Sequence, residues 1–258
     1  GGTMFWFKRK EIVVDLFTPF QSVADEYPIE LTRKFTPKWF KGAKPSYLVD
    51  DFKPHPTLKG CTGMLDLWQK GFIIPLWTDC VVKVNKVNQE VGAGDFEWQT
   101  ADSRTTPISH HHNQWSMFAD PKKHGHFKFG DCWAMKTKEN IKWHWSAPYW
   151  HQGLDLDYTT PPALINAYDT SMTLNIQLML KVDKPKVIEF TAGDPMVQMI
   201  PLSDRNIKIK THVVDHQEFI NLTSEASGIG VSKFINGYKS SVKNTKKRKE
   251  SKCPFHFK

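Results

Sequence analysis

No stretch limits the possible folds of this chain more than residues 187–202, where apolar side chains alternate on either side of one break. Ile188 and Phe190 fall on one side of an extended segment, and Val197 and Met199 resume the period of two after Gly193-Asp194-Pro195. The pattern predicts two strands joined by a tight corner. Glycine tolerates the positive φ that a corner demands, while proline sets the next φ and withholds one ladder donor. Corners of this kind belong to sandwiched or closed all-β domains. The rest of the chain must therefore supply strands to pack against these two.

Short β candidates separated by turn residues run through 80–87, 96–100, 115–118, 126–129, 132–137, 141–146, 172–180, 187–190, 196–202 and 207–214. Glu139-Asn140 between two of them predicts a hairpin across 132–146. Upstream, 11–17 is β-branched enough for a strand, 20–45 is proline-interrupted and irregular, and 72–77 is a buried strand. Thr62 is placed to cap a short helix whose face carries Met64, Leu65 and Trp68, with Gly71 to end it. No repeat of fixed period runs through the chain, which disfavours propellers and solenoids. After Asp215, an acceptable N-cap with Glu218 at the third helical position, the period changes to that of a helix. Gly228, Gly230 and Gly237 predict a broken one.

The expected architecture is mainly β: a jelly-roll or cupin-like sandwich or barrel over 11–214, a helical cap over 215–250 and a tail over 251–258. Residues 1–10 read as an expression remnant and a basic arm. Ten tryptophans and seventeen phenylalanines in 258 residues favour one large aromatic core over disorder. The net charge of +8 is concentrated at the end, because 239–258 holds eight Lys or Arg against Glu250 alone. A nucleic-acid-binding body is therefore not implied; Lys246, Lys247, Arg248 and Lys249 form a tail suited to weak polyanion contact or to solubility. Cys61, Cys80, Cys132 and Cys253 form no CxxC pair, so free thiols in a reducing compartment are expected. No run of eighteen apolar residues exists to cross a membrane as a helix.

Chemistry has few places to reside. Walker, G-x-S-x-G and H-E-x-x-H motifs are absent. Of eleven histidines, His110-His111-His112, His124, His126, His144 and His151 gather in the middle of the chain. A cupin-type site needs two histidines one residue apart on a strand, a carboxylate, and another histidine from a later strand. His124 and His126 have that spacing, and His144 and His151 are the candidates to complete a site for iron or another divalent metal. Yet Ser203-Asp204-Arg205 stands where the last histidine is due. His216-Gln217-Glu218, the one spacing that suits a facial triad, lies at a helix start where its side chains diverge. Trp143 and Trp145 share one strand face and, with Tyr149 and Trp150, offer a stacking platform for sugars, bases or peptide; core packing is the competing reading. Asp155, Asp157 and Asp169 lack the glycine and distal glutamate of a calcium loop, and Cys253-x-x-His256 is half a zinc site.

Three segments stand out: Thr57 to Met64 running into Lys70 to Asp79, Phe129 to Pro148 around Trp133 and Lys136-Thr137, and Gly193-Asp194-Pro195 with Gln198 and Ile200-Pro201. Together they resemble an uncharacterised protein family of contractile-tailed marine bacteriophages that infect cyanobacteria and other marine bacteria. The ending Lys252-Cys253-Pro254-Phe255-His256 fits the same resemblance. Lys138-Glu139-Asn140 stands where the family has a Pro-Gly-Tyr-type turn, and Thr62 rather than proline follows Cys61, so the chain resembles a divergent member. The resemblance implies a phage-encoded protein of the host cytoplasm or virion with a phage or host protein as partner, and supplies no mechanism. A non-catalytic binding or structural module without cofactor is the expected function; a cupin-type metal enzyme such as a non-heme iron oxygenase is the alternative.

Overall fold

The computed structural model describes residues 11–49, 53–88, 93–102, 107–130, 132–154, 156–168 and 171–231. Lys246 to Lys249, Cys253, His256, Asp155 and Asp169 lie outside these. The strands are β1 (Ile12–Thr18), β2 (Glu30–Leu31), β3 (Ser46–Val49), β4 (Lys53–Pro56), β5 (Phe72–Pro75), β6 (Cys80–Asn88), β7 (Ala93–Thr100), β8 (Ile108–Ser109) and β9 (His124–Phe129). They continue as β10 (Ala134–Thr137), β11 (Lys142–Ser146), β12 (Tyr158–Thr159), β13 (Ala163–Asn166), β14 (Met172–Thr173), β15 (Ile176–Lys181), β16 (Lys186–Phe190), β17 (Pro195–Pro201) and β18 (Ile207–Val213). The helices are α1 (Gln21–Glu26), α2 (Lys38–Gly42), α3 (Thr62–Gln69), α4 (Tyr149–Gln152) and α5 (His216–Val231).

The fold is mainly β, as expected, with a C-terminal helix. Its sheets have the orders β14-β10-β1-β18, β13-β11-β17-β5-β2, β12-β15-β9-β8 and β16-β6-β7, beside a separate β3-β4 ribbon. Among the described residues these sheets do not join into a closed barrel, and the arrangement is sandwich-like. β1 and β18 run parallel from Ile12 opposite Ile207 to Thr18 opposite Val213, so strands from both ends of the described chain share one sheet.

The corner at 191–194 is where two sheets exchange strands. β5 pairs with β17 in one sheet, and β6, which follows β5, pairs with β16, which precedes β17, in another. Both chain segments therefore cross between sheets side by side. Leu76 N–H donates to Asp194 O at 2.9 Å, Gly193 N–H to Leu76 O at 2.7 Å, and Ala192 N–H to the Asp79 carboxylate at 2.7 Å. Those bonds occupy backbone groups that the ladders release at the bend. Gly193 takes φ +88°, the left-handed conformation anticipated for it.

One cluster of buried residues reaches across the four larger sheets, from Ile12 and Leu16 through Phe72, Val82 and Phe127 to Met199. Phe129 meets Phe127 and Phe190 edge to face at centroid distances of 5.2 and 5.6 Å, and Tyr158 lies 4.8 Å from Phe190. Cys80 and Cys132 are buried and Cys61 is exposed. Burial pushes the Cys80 thiol up to about 12, so it stays protonated and packs as a small apolar group.

Several expectations are corrected. Residues 132–146 are not a hairpin: β10 pairs with β1 and β14, whereas β11 pairs with β13 and β17 in a different sheet. Both strands bury side chains inside their sheets, and flanking partners hold them more completely than pairing with each other would. Residues 115–118 form turns rather than a strand, after a 3₁₀ turn at His112–Gln114. The apolar run 172–180 is interrupted after Thr173, where Leu174 N–H donates to Trp133 O instead of continuing one ladder. Cys61, not Thr62, is the N-cap of α3, and Thr62 is its first residue. Gln21–Glu26 and Lys38–Gly42 are helical within the stretch read as irregular.

α5 is one helix through Val231, with Gly228 and Gly230 inside it rather than breaking it. Asp215 accepts from Glu218 N–H at 2.8 Å, as an N-cap should. Buried Phe219 and the Ser171 hydroxyl, which donates to Leu222 O at 2.7 Å, hold the helix against the body. Tertiary contact thus offsets the low helix propensity of glycine.

Candidate histidine site

β9 alternates strictly: Gly125, Phe127 and Phe129 face the core, while His124, His126 and Lys128 are half-buried on the opposite side. β15 flanks it on one side and the two-residue edge strand β8 on the other. Ile108 opposes Lys128 and Ser109 opposes Phe127, so the next residue along, His110, faces His126. Their ring centroids are 4.5 Å apart.

The 3₁₀ turn after His111 folds the histidine run back on itself. His110 Nδ1 lies 2.6 Å from Gln114 Oε1, Asn113 N–H donates to His111 Nδ1 at 3.3 Å, and Trp115 Nε1 donates to His110 O at 3.3 Å. The His111 and His112 rings lie 4.1 Å apart, tilted by 34°. On the other flank, His126 Nε2 lies 2.7 Å from Gln177 Oε1. A half-open cavity of about 300 Å³ is lined by His110, His111, His112 and His126, with Phe96 and Trp115 beside them. A Cβ on Gly125 would lie 2.1 Å from Phe96 Cζ, so the phenylalanine ring rests directly on this glycine. The Phe96 ring covers the backbone between His124 and His126. Burial first, then His110 and Lys128, hold the His126 pKa below the ordinary histidine value, against the contrary pull of Gln177.

The expected metal ligands separate in space. His124 and His126 share a strand face as anticipated, but His144 lies on β11 between Ile200 of β17 and Leu164 of β13. His151 sits on α4 with a buried Nε2 that has no hydrogen-bond partner among the described residues. Among the described residues no three His, Cys, Asp or Glu side chains converge as a cation-holding group. The neighbour of His126 is instead His110, which its position in a run of three did not reveal. Asp157 bonds Lys186 Nζ at 2.8 Å.

The aromatic platform is likewise corrected. Trp143 is fully buried and Trp145 is 4 % exposed, Trp143 packing on Phe72 at 5.4 Å. Tyr149 is half exposed, and Trp150 accepts at its carbonyl from Trp39 Nε1 at 2.7 Å. Two of the four rings are core, so they present no common face to a ligand.

His151 carries a pH prediction. Burial holds its pKa at about 4 against 6.5 for an ordinary histidine, so the unfolded chain takes up a proton that the folded chain resists. The unfolded state thus binds more protons between those two values, and acidification through that window favours unfolding. Stability should be complete above pH 6.5 and fall as pH approaches 4. His151→Leu should flatten that dependence in urea melts; an unchanged difference between pH 7 and pH 5 would refute the assignment.

Comparison with family models, with curated proteins and with solved structures found no match, so the functional reading rests on this chain's own residues. No helix among the described residues is long and apolar enough to cross a membrane.

Proposed function

We propose that this protein is a phage-encoded, non-catalytic binding module that holds an extended segment of a phage or host protein against β3. The carrying observation is that all four residues of β3 and all four of β4 are exposed, including Tyr47, Leu48 and Val49. A ribbon that buries nothing contributes little to its own fold and is suited to meeting something else.

Its two edges are not equivalent. Ser46 opposes Pro56 and Leu48 opposes Pro54, while Thr57 N–H donates to Pro45 O at 3.0 Å. Antiparallel alternation then makes Tyr47–His55 and Val49–Lys53 the hydrogen-bonded pairs. The backbone groups of Ser46 and Leu48 consequently point outward, ready to pair with an added strand. On β4 the outward positions are prolines, which have no N–H to offer. One edge is open and the other closed, the geometry that supports strand addition in a single direction.

Leu48→Pro tests this directly, because it removes an outward N–H without touching a ladder bond to β4. A photo-crosslinking residue at Tyr47 should trap one phage or host protein in infected cells, and Leu48→Pro should abolish that adduct while leaving the melting temperature unchanged. An adduct that survives Leu48→Pro would overturn the reading. Abundance in purified particles would identify the partner as a virion component.

A further inference from the structure

We infer that His110 and His126 form a two-imidazole site for a borderline divalent cation of the Cu²⁺, Ni²⁺ or Zn²⁺ type, with solvent in the remaining positions. The inference rests on the histidine cavity, not on the ribbon, and stands or falls separately from it.

Cross-strand register places the two rings together rather than the chance flexibility of a surface loop. The outer hydrogen bonds then set which nitrogen is free. An amide oxygen only accepts, so Gln177 Oε1 at 2.7 Å requires a proton on His126 Nε2, and Gln114 Oε1 at 2.6 Å requires one on His110 Nδ1. The lone pairs are left on His126 Nδ1 and His110 Nε2. His126 Nδ1 is buried and has no hydrogen-bond partner among the described residues. An unsatisfied buried acceptor is costly unless it serves a ligand. Metal-binding histidines characteristically donate their other ring N–H to an oxygen that fixes tautomer and orientation, the arrangement both glutamines supply.

The class of cation follows from what lines the cavity. Its polar side chains are imidazoles and the Ser109 hydroxyl, with no carboxylate or thiolate among them. Hard cations such as Mg²⁺ and Ca²⁺ need oxygen ligands, whereas imidazole suits copper, nickel and zinc. Lys128, next but one along β9, opposes a bound cation. The His111 and His112 rings lie 4.1 Å apart, tilted by 34°, and His112 Nδ1, like His126 Nδ1, is buried without a hydrogen-bond partner among the described residues.

Titration of untagged protein with CuCl₂ and with ZnCl₂, followed by isothermal calorimetry and by Cu²⁺ electron paramagnetic resonance, tests the site. One equivalent should bind, with a spectrum showing two nitrogen ligands. His110→Gln and His126→Gln should each weaken binding by more than about tenfold, and Gln177→Leu, which keeps both rings, by about tenfold. His111→Gln and the exposed His216→Ala should change little, and Lys128→Met should tighten binding. Melting curves identify any variant that fails to fold, in which case Gln177→Leu and Lys128→Met carry the test. No saturable binding, or equal weakening by His111→Gln and His110→Gln, would overturn the inference by making the run a simple string of imidazoles.

Discussion

Replacing Gly71 with alanine is expected to destabilise the protein by about 4 kcal/mol, in the far tail of single substitutions. Gly71 has φ +84°, and a Cβ built on it would lie 1.8 Å from Met199 O. Both effects act together: left-handed strain of roughly 1–2 kcal/mol for a residue with a side chain, and displacement of a backbone carbonyl that cannot swing aside. The carbonyl belongs to β17, whose ladder with β5 begins one residue after Gly71 at Phe72 opposite Met199. Moving it disturbs the centre of the five-stranded sheet. The same glycine joins α3 to β5, where Thr32 N–H donates to Gly71 O at 3.1 Å. Nearby, Gln198 Nε2 donates to Leu67 O at 2.9 Å and Lys70 O at 2.8 Å, closing the helix end against β17. Gly63 is the matched control: it lies within α3 with nothing inside 4 Å of an added Cβ. Gly63→Ala should be neutral or stabilise by about 0.5–1 kcal/mol through helix propensity. Thermal melts should therefore separate the two alanine variants by roughly ten degrees or more, and equal melting temperatures would refute the steric account.

The corner at 191–194, the strands on either side of it and the β9 alternation were legible in the residues because each depends on local periodicity and on φ at one glycine. Pairing partners were not. Glu139-Asn140 has turn chemistry, but the same residues serve a crossover between sheets as well as a return along one. Only partner strands elsewhere, β1 and β14 for β10, β13 and β17 for β11, decide between them. The histidine site divides in the same way. His124 and His126 on one face follow from a period of two, whereas His110 beside His126 depends on the register of an edge strand sixteen residues away in sequence. Met117 and Phe118 mislead for a related reason. They look like strand residues but are 79 % and 71 % exposed, because no strand among the described residues pairs with them. On the helical side, Asp215 and Glu218 gave a clear start, while the persistence of α5 through Gly228 depends on packing around Phe219 that sequence does not display.

Trp143→Ala should cost about 3–5 kcal/mol, the range for emptying a large aromatic from a packed core. Trp143 is fully buried on β11, between Pro201 and Ile165 on the flanking strands and against Phe72 from β5. Four elements of one sheet therefore line the cavity that alanine would leave, and backbones fixed by ladders on both sides have little freedom to collapse into it. The indole adds a second term. Its Nε1 is buried with no hydrogen-bond partner among the described residues, a donor that the native fold carries at a penalty. Trp143→Phe removes that donor while keeping a ring against Phe72, so its cost should be no more than about 1.5 kcal/mol despite the lost volume. The ordering of wild type, phenylalanine and alanine in urea denaturation, at constant m-value, measures both terms. A phenylalanine variant as unstable as alanine would show that the indole nitrogen carries no penalty and that shape alone decides. An alanine variant as stable as wild type would contradict burial itself and return Trp143 to the surface role of a stacking ring.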